Sequence, residues 1–71
     1  MLLHENLKKF RGQLGMTQEM VARFSGVNYG TYAKIDRGVI RSPRVHTVYM
    51  IAKVLGVTIE DLIGEERLTR K

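Results

Sequence analysis

TQEMVARFSGVNYGTYAKIDRG, residues 17–38, decides the fold. Thr17 is a capping residue, and Met16 before it pairs with Val21 after it as the hydrophobic staple that sets a helix entry. The spacing predicts a helix from Gln18 to Ser25, stopped by Gly26, which supplies the positive φ of a tight turn without a Cβ penalty. Asn28 then repeats the device with Val27 and Tyr32, so a second helix runs from Tyr29 to Arg37, and Gly38 closes it. Ala22 is small where the two helices would cross, and Val21, Val27, Tyr32 and Ile35 are apolar where they would lock together. Two short helices joined by a tight turn make a helix-turn-helix.

The flanks punctuate themselves in the same way. Leu3, Leu7, Phe10 and Leu14 recur at helical spacing as one apolar stripe, with Gly15 as the stop. Ser42-Pro43 reads as a cap followed by proline at the first helical position, where its missing N–H costs nothing. Val45, Val48, Tyr49, Ala52 and Leu55 line the apolar face of the helix that follows, and Gly56 ends it. Thr58 caps a short fifth helix, Val57 and Leu62 staple it, and Asp61 stands at the capping-box position before Gly64. No segment alternates with period two, so no sheet is expected. The fold class is all-α: a compact five-helix domain at residues 1–64, with a charged C-terminal tail, EERLTRK, at 65–71.

Composition narrows the function. Seventy-one residues without cysteine leave neither a disulfide framework nor a thiolate metal site. No apolar run approaches the roughly 18–20 residues of a membrane span, and the start, MLLHENLKKF, lacks the parts of a signal peptide, so a cytoplasmic protein is expected. Twelve Lys and Arg against seven Asp and Glu give a net charge of +5 and a pI of 10.0, a balance suited to a polyanion such as nucleic acid. His46 has no carboxylate three or four residues away to make a metal or acid–base pair, and no phosphate loop or Ser/His/Asp spacing is present. The chain reads as a binding protein, with no catalytic residue, metal or cofactor.

Residues 17–38 resemble the Cro/CI-type, lambda-repressor-like (XRE-type) helix-turn-helix family. LKKFRGQLGMTQ before them and SPRVHTVYMIAKVLGVTIEDLI after them are similar to that family's first, fourth and fifth helices, so the resemblance spans Leu3 to Ile63. It implies a five-helix DNA-binding domain whose third helix enters the major groove. Three departures stand out. Gly12 lies in the first helix where a larger residue is commoner, Phe24-Ser25 reverses the frequent polar-then-apolar order, and the loop from Gly38 to Pro43 is one residue longer.

Stepping about 100° per residue from Tyr29 at zero places Ala33 at about 40°, Arg37 at about 80°, Gly30 at about 100° and Lys34 at about 140°. Tyr32 and Ile35 fall on the opposite side, toward the core. Glycine inside a helix costs about 0.5–1 kcal/mol relative to alanine. A major groove about 12 Å wide barely admits a helix, so small residues on the outward arc would let the backbone approach the bases. The expected base contacts are Tyr29, Gly30, Ala33 and Lys34: a phenol, a bare backbone, a methyl for thymine, and an ammonium for guanine O6/N7. Tyr29 also reads as an aromatic packing on the end of the second helix, and Lys34 equally as a phosphate contact.

Phosphate contacts position a protein without reading sequence. Gln18 opens the second helix, where N–H groups favour anions, and Arg41 and Arg44 flank the fourth helix. Thr17, Asn28, Thr31 and Arg37 complete the phosphate set, although Thr31 and Arg41 read as well as solvated surface. The resemblance implies that Gln18 grips a phosphate and braces Tyr29, and that Arg11 pairs with Asp36 to tie the third helix to the scaffold. It also implies a two-fold dimer, for which Ile59, Ile63 and Leu68 are the candidate interface, with Leu62 completing the core. The expected partner is a double-stranded DNA operator, and the expected function is sequence-specific transcriptional regulation, as a repressor. The alternative is the antitoxin of a toxin–antitoxin pair, which binds its own promoter and a protein toxin.

Overall fold

The computed structural model describes residues 3–64, which form five helices: α1 (Leu3–Gln13), α2 (Gln18–Ser25), α3 (Tyr29–Asp36), α4 (Val45–Leu55) and α5 (Ile59–Ile63). There is no strand among the described residues. The tail at 65–71 lies outside them.

One three-residue device sets most of the boundaries. Gly26 ends α2 in the left-handed region at φ 78°, and the Val27 N–H reaches back to the Ala22 carbonyl at 3.1 Å. That back-bond satisfies a carbonyl left over by the helix and presses Val27 onto the core. Asn28 then accepts the Thr31 N–H at 3.1 Å and starts α3. Gly15-Met16-Thr17 and Gly56-Val57-Thr58 repeat this sequence of events, with Met16 N–H to Arg11 O at 3.0 Å and Val57 N–H to Ala52 O at 3.1 Å. The apolar middle residue thus serves the end of one helix and the start of the next. At α5 the capping box is complete: Thr58 and Asp61 exchange side-chain-to-backbone bonds at 3.0 Å each way. The backbone N–H and then the side chain of Thr58, with the charge of Lys9, hold the Asp61 carboxyl below the usual carboxylate range.

α2 packs against α3 and α4, while α1 packs against α3 and α5. The core they enclose comprises Leu3, Leu7, Val21, Ala22, Tyr32, Ile35, Val48, Ile51, Ala52, Leu55 and Leu62. Fully burying a side chain of the Leu or Ile class contributes about 1.5–3 kcal/mol. Asn6 Nδ2 donates to the Leu62 carbonyl at 2.7 Å, fastening α5 to α1.

Three expectations need correction. Leu14 is exposed, because α1 ends at Gln13 and the chain turns away before Leu14 can reach the core. Ser42-Pro43 does not open α4. Arg44 is extended at ψ 149° and stands at the cap position without a side-chain hydrogen bond, so the helix begins two residues beyond proline. Val45 and Tyr49 are exposed, and Ile51 takes the central place in the core. The buried face of α4 is Val48–Ile51–Ala52–Leu55, which leaves Val45 and Tyr49 on a flank. Lys53 lies over the Tyr49 ring, with Nζ 5.5 Å from its centroid.

Candidate nucleic-acid interface

α3 is short, and its two sides differ sharply. Tyr32, Ala33, Ile35 and Asp36 are buried, whereas Gly30, Thr31, Lys34 and the following Arg37 are exposed. On the helical wheel the exposed arc runs from Arg37 at about 80°, through Gly30 and Lys34, to Thr31 at about 200°. Tyr29 projects half-exposed at the front, where no preceding turn of helix covers it. Ala33, expected among the base contacts, is largely buried. Only 9% of it is exposed, so its methyl belongs to the body of the domain and is not offered outward. Thr31 is exposed and bounds the open arc on its far side.

The wheel is turned this way by a carboxylate. Asp36 is fully buried and accepts four hydrogen bonds: from Arg11 Nε at 3.0 Å and Nη2 at 3.2 Å, from Gln18 Nε2 at 3.0 Å, and from the Tyr32 hydroxyl at 2.7 Å. A buried charge is tolerated only when paired and hydrogen-bonded in this way. The two bonds from Arg11 give the forked geometry in which guanidinium and carboxylate match best. Arg11 also donates to the Met16 carbonyl at 3.2 Å. Burial works against the charge on Arg11, but the bond and charge of Asp36 outweigh it and raise its pKa. Burial, and then the same carboxylate, push the Tyr32 phenol well above its ordinary value.

Gln18 belongs to this network. Its amide reaches Asp36, where the resemblance implies a brace on Tyr29, so the residue that opens α2 is held by the acid that closes α3. Thr17 and Asn28 spend their side-chain oxygens on capping their own helices. Gly30 has an intramolecular reason to lack a side chain, since a Cβ there would lie 3.2 Å from the capping oxygen of Asn28. Ser25, reversed in order with the exposed Phe24, is buried at the turn. Its hydroxyl donates to the Ala22 carbonyl at 3.2 Å and accepts from the Val27 N–H at 3.4 Å.

The electrostatics of the face rest on one feature missing from the expectations above. Between Glu19 and Glu60 the sole acid is Asp36, which is shut away from solvent, while Arg23, Lys34, Arg37, Arg41, Arg44 and Lys53 are all exposed. Beyond Glu19, which stands exposed in the first turn of α2, the surface of α2, α3 and α4 therefore carries cations with no exposed carboxylate to offset them. The run of sequence without acids was the signal. Ile59 and Ile63 are half-buried, and with Leu3, Pro43, Val45 and Val48 they line an apolar groove of about 180 Å³ away from α3. Leu68 lies outside the described residues. No cluster of groups able to hold a metal ion occurs among the described residues, and no helix there is long and apolar enough to cross a membrane.

Comparison with known proteins agrees with this geometry. A helix-turn-helix family model matches residues 7–62. An uncharacterized HTH-type transcriptional regulator of Archaeoglobus fulgidus is 34% identical over 71 residues, covering 97% of this chain and 99% of that one. The cryptic phage CTXphi transcriptional repressor RstR of Vibrio cholerae is 31% identical over 64 residues, covering 90% of this chain and 57% of that one. Among solved structures, a chain of the SinR protein/SinI protein complex superposes with a TM-score of 0.85 at 22% identity, covering 97% of this chain and 67% of that one, a likeness of fold.

Proposed function

Because the chain belongs to the helix-turn-helix family of transcriptional regulators, we propose that it reads double-stranded DNA in a sequence-specific way by laying α3 in the major groove, and that it acts as a repressor in the cytoplasm. The observation that carries this reading is the open arc of α3, Gly30–Lys34–Thr31, set in a surface whose exposed charges between Glu19 and Glu60 are all positive. Tyr29, Gly30 and Lys34 face the base edges; Lys34 suits guanine O6/N7. Thr17, Gln18, Asn28, Thr31, Arg37, Arg41 and Arg44 take the phosphates on either side of the groove. The repressor role follows the printed name of the phage relative, and it works by occupying a promoter. The antitoxin alternative draws no support from the relatives, whose names are those of regulators and a repressor.

A single recognition helix reads few base pairs, and a two-fold dimer on half-sites about 34–36 Å apart supplies the rest. Ile59 and Ile63, joined by the exposed Val45, are the proposed interface; Leu68 completes it.

Selection of bound sequences from a random DNA pool tests the reading directly. A defined, two-fold-related motif is expected, together with affinity that falls with salt at about −0.9 per phosphate neutralised. With Arg37, Arg41 and Arg44 each neutralising one phosphate, the slope is about −2.7 per protomer. A pool that stays unenriched, or binding indifferent to salt, would sink the proposal.

A further inference from the structure

We propose that His46 is a DNA-binding residue in its own right, a phosphate donor that works when protonated and makes operator affinity pH-dependent. The inference rests on the DNA-binding reading of the same face and names a contact which that reading lacks. A cleft of about 430 Å³ separates α3 from the first turns of α4, lined by the turn at 25–27, by Asn28 and Thr31, and by His46, Thr47 and Met50. Half-buried Met50 contributes apolar surface, while an amide, three hydroxyls and an imidazole supply hydrogen-bonding groups. Every lining group is neutral except the imidazole, which alone can gain charge, and no carboxylate is among them.

The position of the cleft decides its ligand. A helix in the major groove has a row of phosphates along each flank. Arg37 stands on one flank of the α3 arc, at about 80°, and provides a permanent charge there. Thr31 marks the other flank, at about 200°, and α3 itself carries no charge on that side. His46 stands beside Thr31 across the cleft. The charged residues nearest in sequence to the lining positions on α2, α3 and α4 are Arg23, Lys34, Arg44 and Lys53, all cations. A phosphate diester is thus the anion that would hold a proton on His46.

The sign of the effect follows. A phosphate accepts a stronger hydrogen bond from an imidazolium than from a neutral imidazole, so protonation and DNA binding favour each other. The added affinity is gained as pH falls and lost as pH rises.

The test is fluorescence anisotropy with a labelled random-sequence duplex, from about pH 8 to about pH 5.5. Wild type should tighten roughly three- to tenfold on acidification, as expected for one charge-assisted bond. His46→Gln should match wild type at the alkaline end and stay flat. At the acid end its salt slope should be shallower than wild type by about 0.9. His46 is exposed, so the variant should melt like wild type. His4→Gln, which changes the other histidine, should keep the pH response. A wild-type affinity that ignores pH, or a response that survives in His46→Gln, overturns the inference and leaves the regulator reading standing. Absence of DNA binding at every pH overturns both.

Discussion

Asp36→Ala removes a carboxylate that four donors share, and its cost can be worked from their geometry. After the change Arg11 keeps, among the described residues, only the Met16 carbonyl as acceptor, while the Tyr32 hydroxyl and the Gln18 amide lose theirs. Breaking one side of a buried ion pair costs about 3–5 kcal/mol, because the other charge stays behind. The Arg11 side chain is 19% exposed and can recover some water, which favours the lower part of that range. A domain of this size has a total stability of about 4–10 kcal/mol, so the substitution removes a large share of it. At about 4–8 °C per kcal/mol, the midpoint should fall by at least about 12 °C. Tyr32→Phe keeps the volume and three of the four donors, and should cost about 1.5 kcal/mol.

Thermal and urea unfolding followed by circular dichroism measure both variants, with Arg11→Ala and the double variant closing a cycle. The double variant should cost less than the sum of the singles by about 0.5–3 kcal/mol, since each single already breaks the shared bonds. Base preference, measured where the variants remain folded, should be unchanged. Additive costs, a Tyr32→Phe loss exceeding that of Asp36→Ala, or altered base preference with normal melting would refute this account of the network.

Lys34→Ala and Tyr29→Ala should each relax preference at particular base pairs by about 1–3 kcal/mol, whereas Arg44→Ala should weaken all sequences alike; competition binding against single-base variants of the selected site separates the two behaviours. Gly30→Ala should leave melting nearly unchanged, because about 0.5–1 kcal/mol of helix propensity is offset by pressure on the Asn28 cap, yet it should reduce DNA affinity by placing a methyl in the groove. Asp61→Asn should melt below wild type at neutral pH. Its carboxyl is held low by Thr58, so the stabilisation is complete above the ordinary carboxylate value of about 3.9 and disappears as pH falls through the lowered one, and acid titration should close the gap. Gly38→Ala should destabilise by about 1–3 kcal/mol in thermal melts, since φ is +84° and a Cβ would meet the His4 ring at 3.1 Å.

Local chemistry made much of this molecule legible in advance. Gly-Met-Thr, Gly-Val-Asn and Gly-Val-Thr announce the ends and starts of helices because a left-handed stop, an apolar anchor and a side-chain cap act within a few residues of chain. The Arg11–Asp36 pair came through family resemblance, since no local rule joins residues 25 positions apart. Ser42-Pro43 misled because a valid cap signal says nothing of the long loop before it, which delivers Arg44 in an extended conformation.

The sequence by itself determined the number of helices, the turn at Gly26, and the positive charge of the middle of the chain. Only the tertiary structure showed what fixes the facing of α3 that helical spacing had outlined. Two apolar residues, Tyr32 and Ile35, aim a two-turn helix loosely; the buried Asp36 completes the aim by requiring Arg11 from α1 and Gln18 from α2 at once. That requirement turns Ala33 inward and leaves Gly30, Lys34 and Thr31 in the open. Whether a residue on α4 is core or surface was likewise settled by the neighbour it meets, because burial is a property of two packed faces and a sequence pattern describes only one.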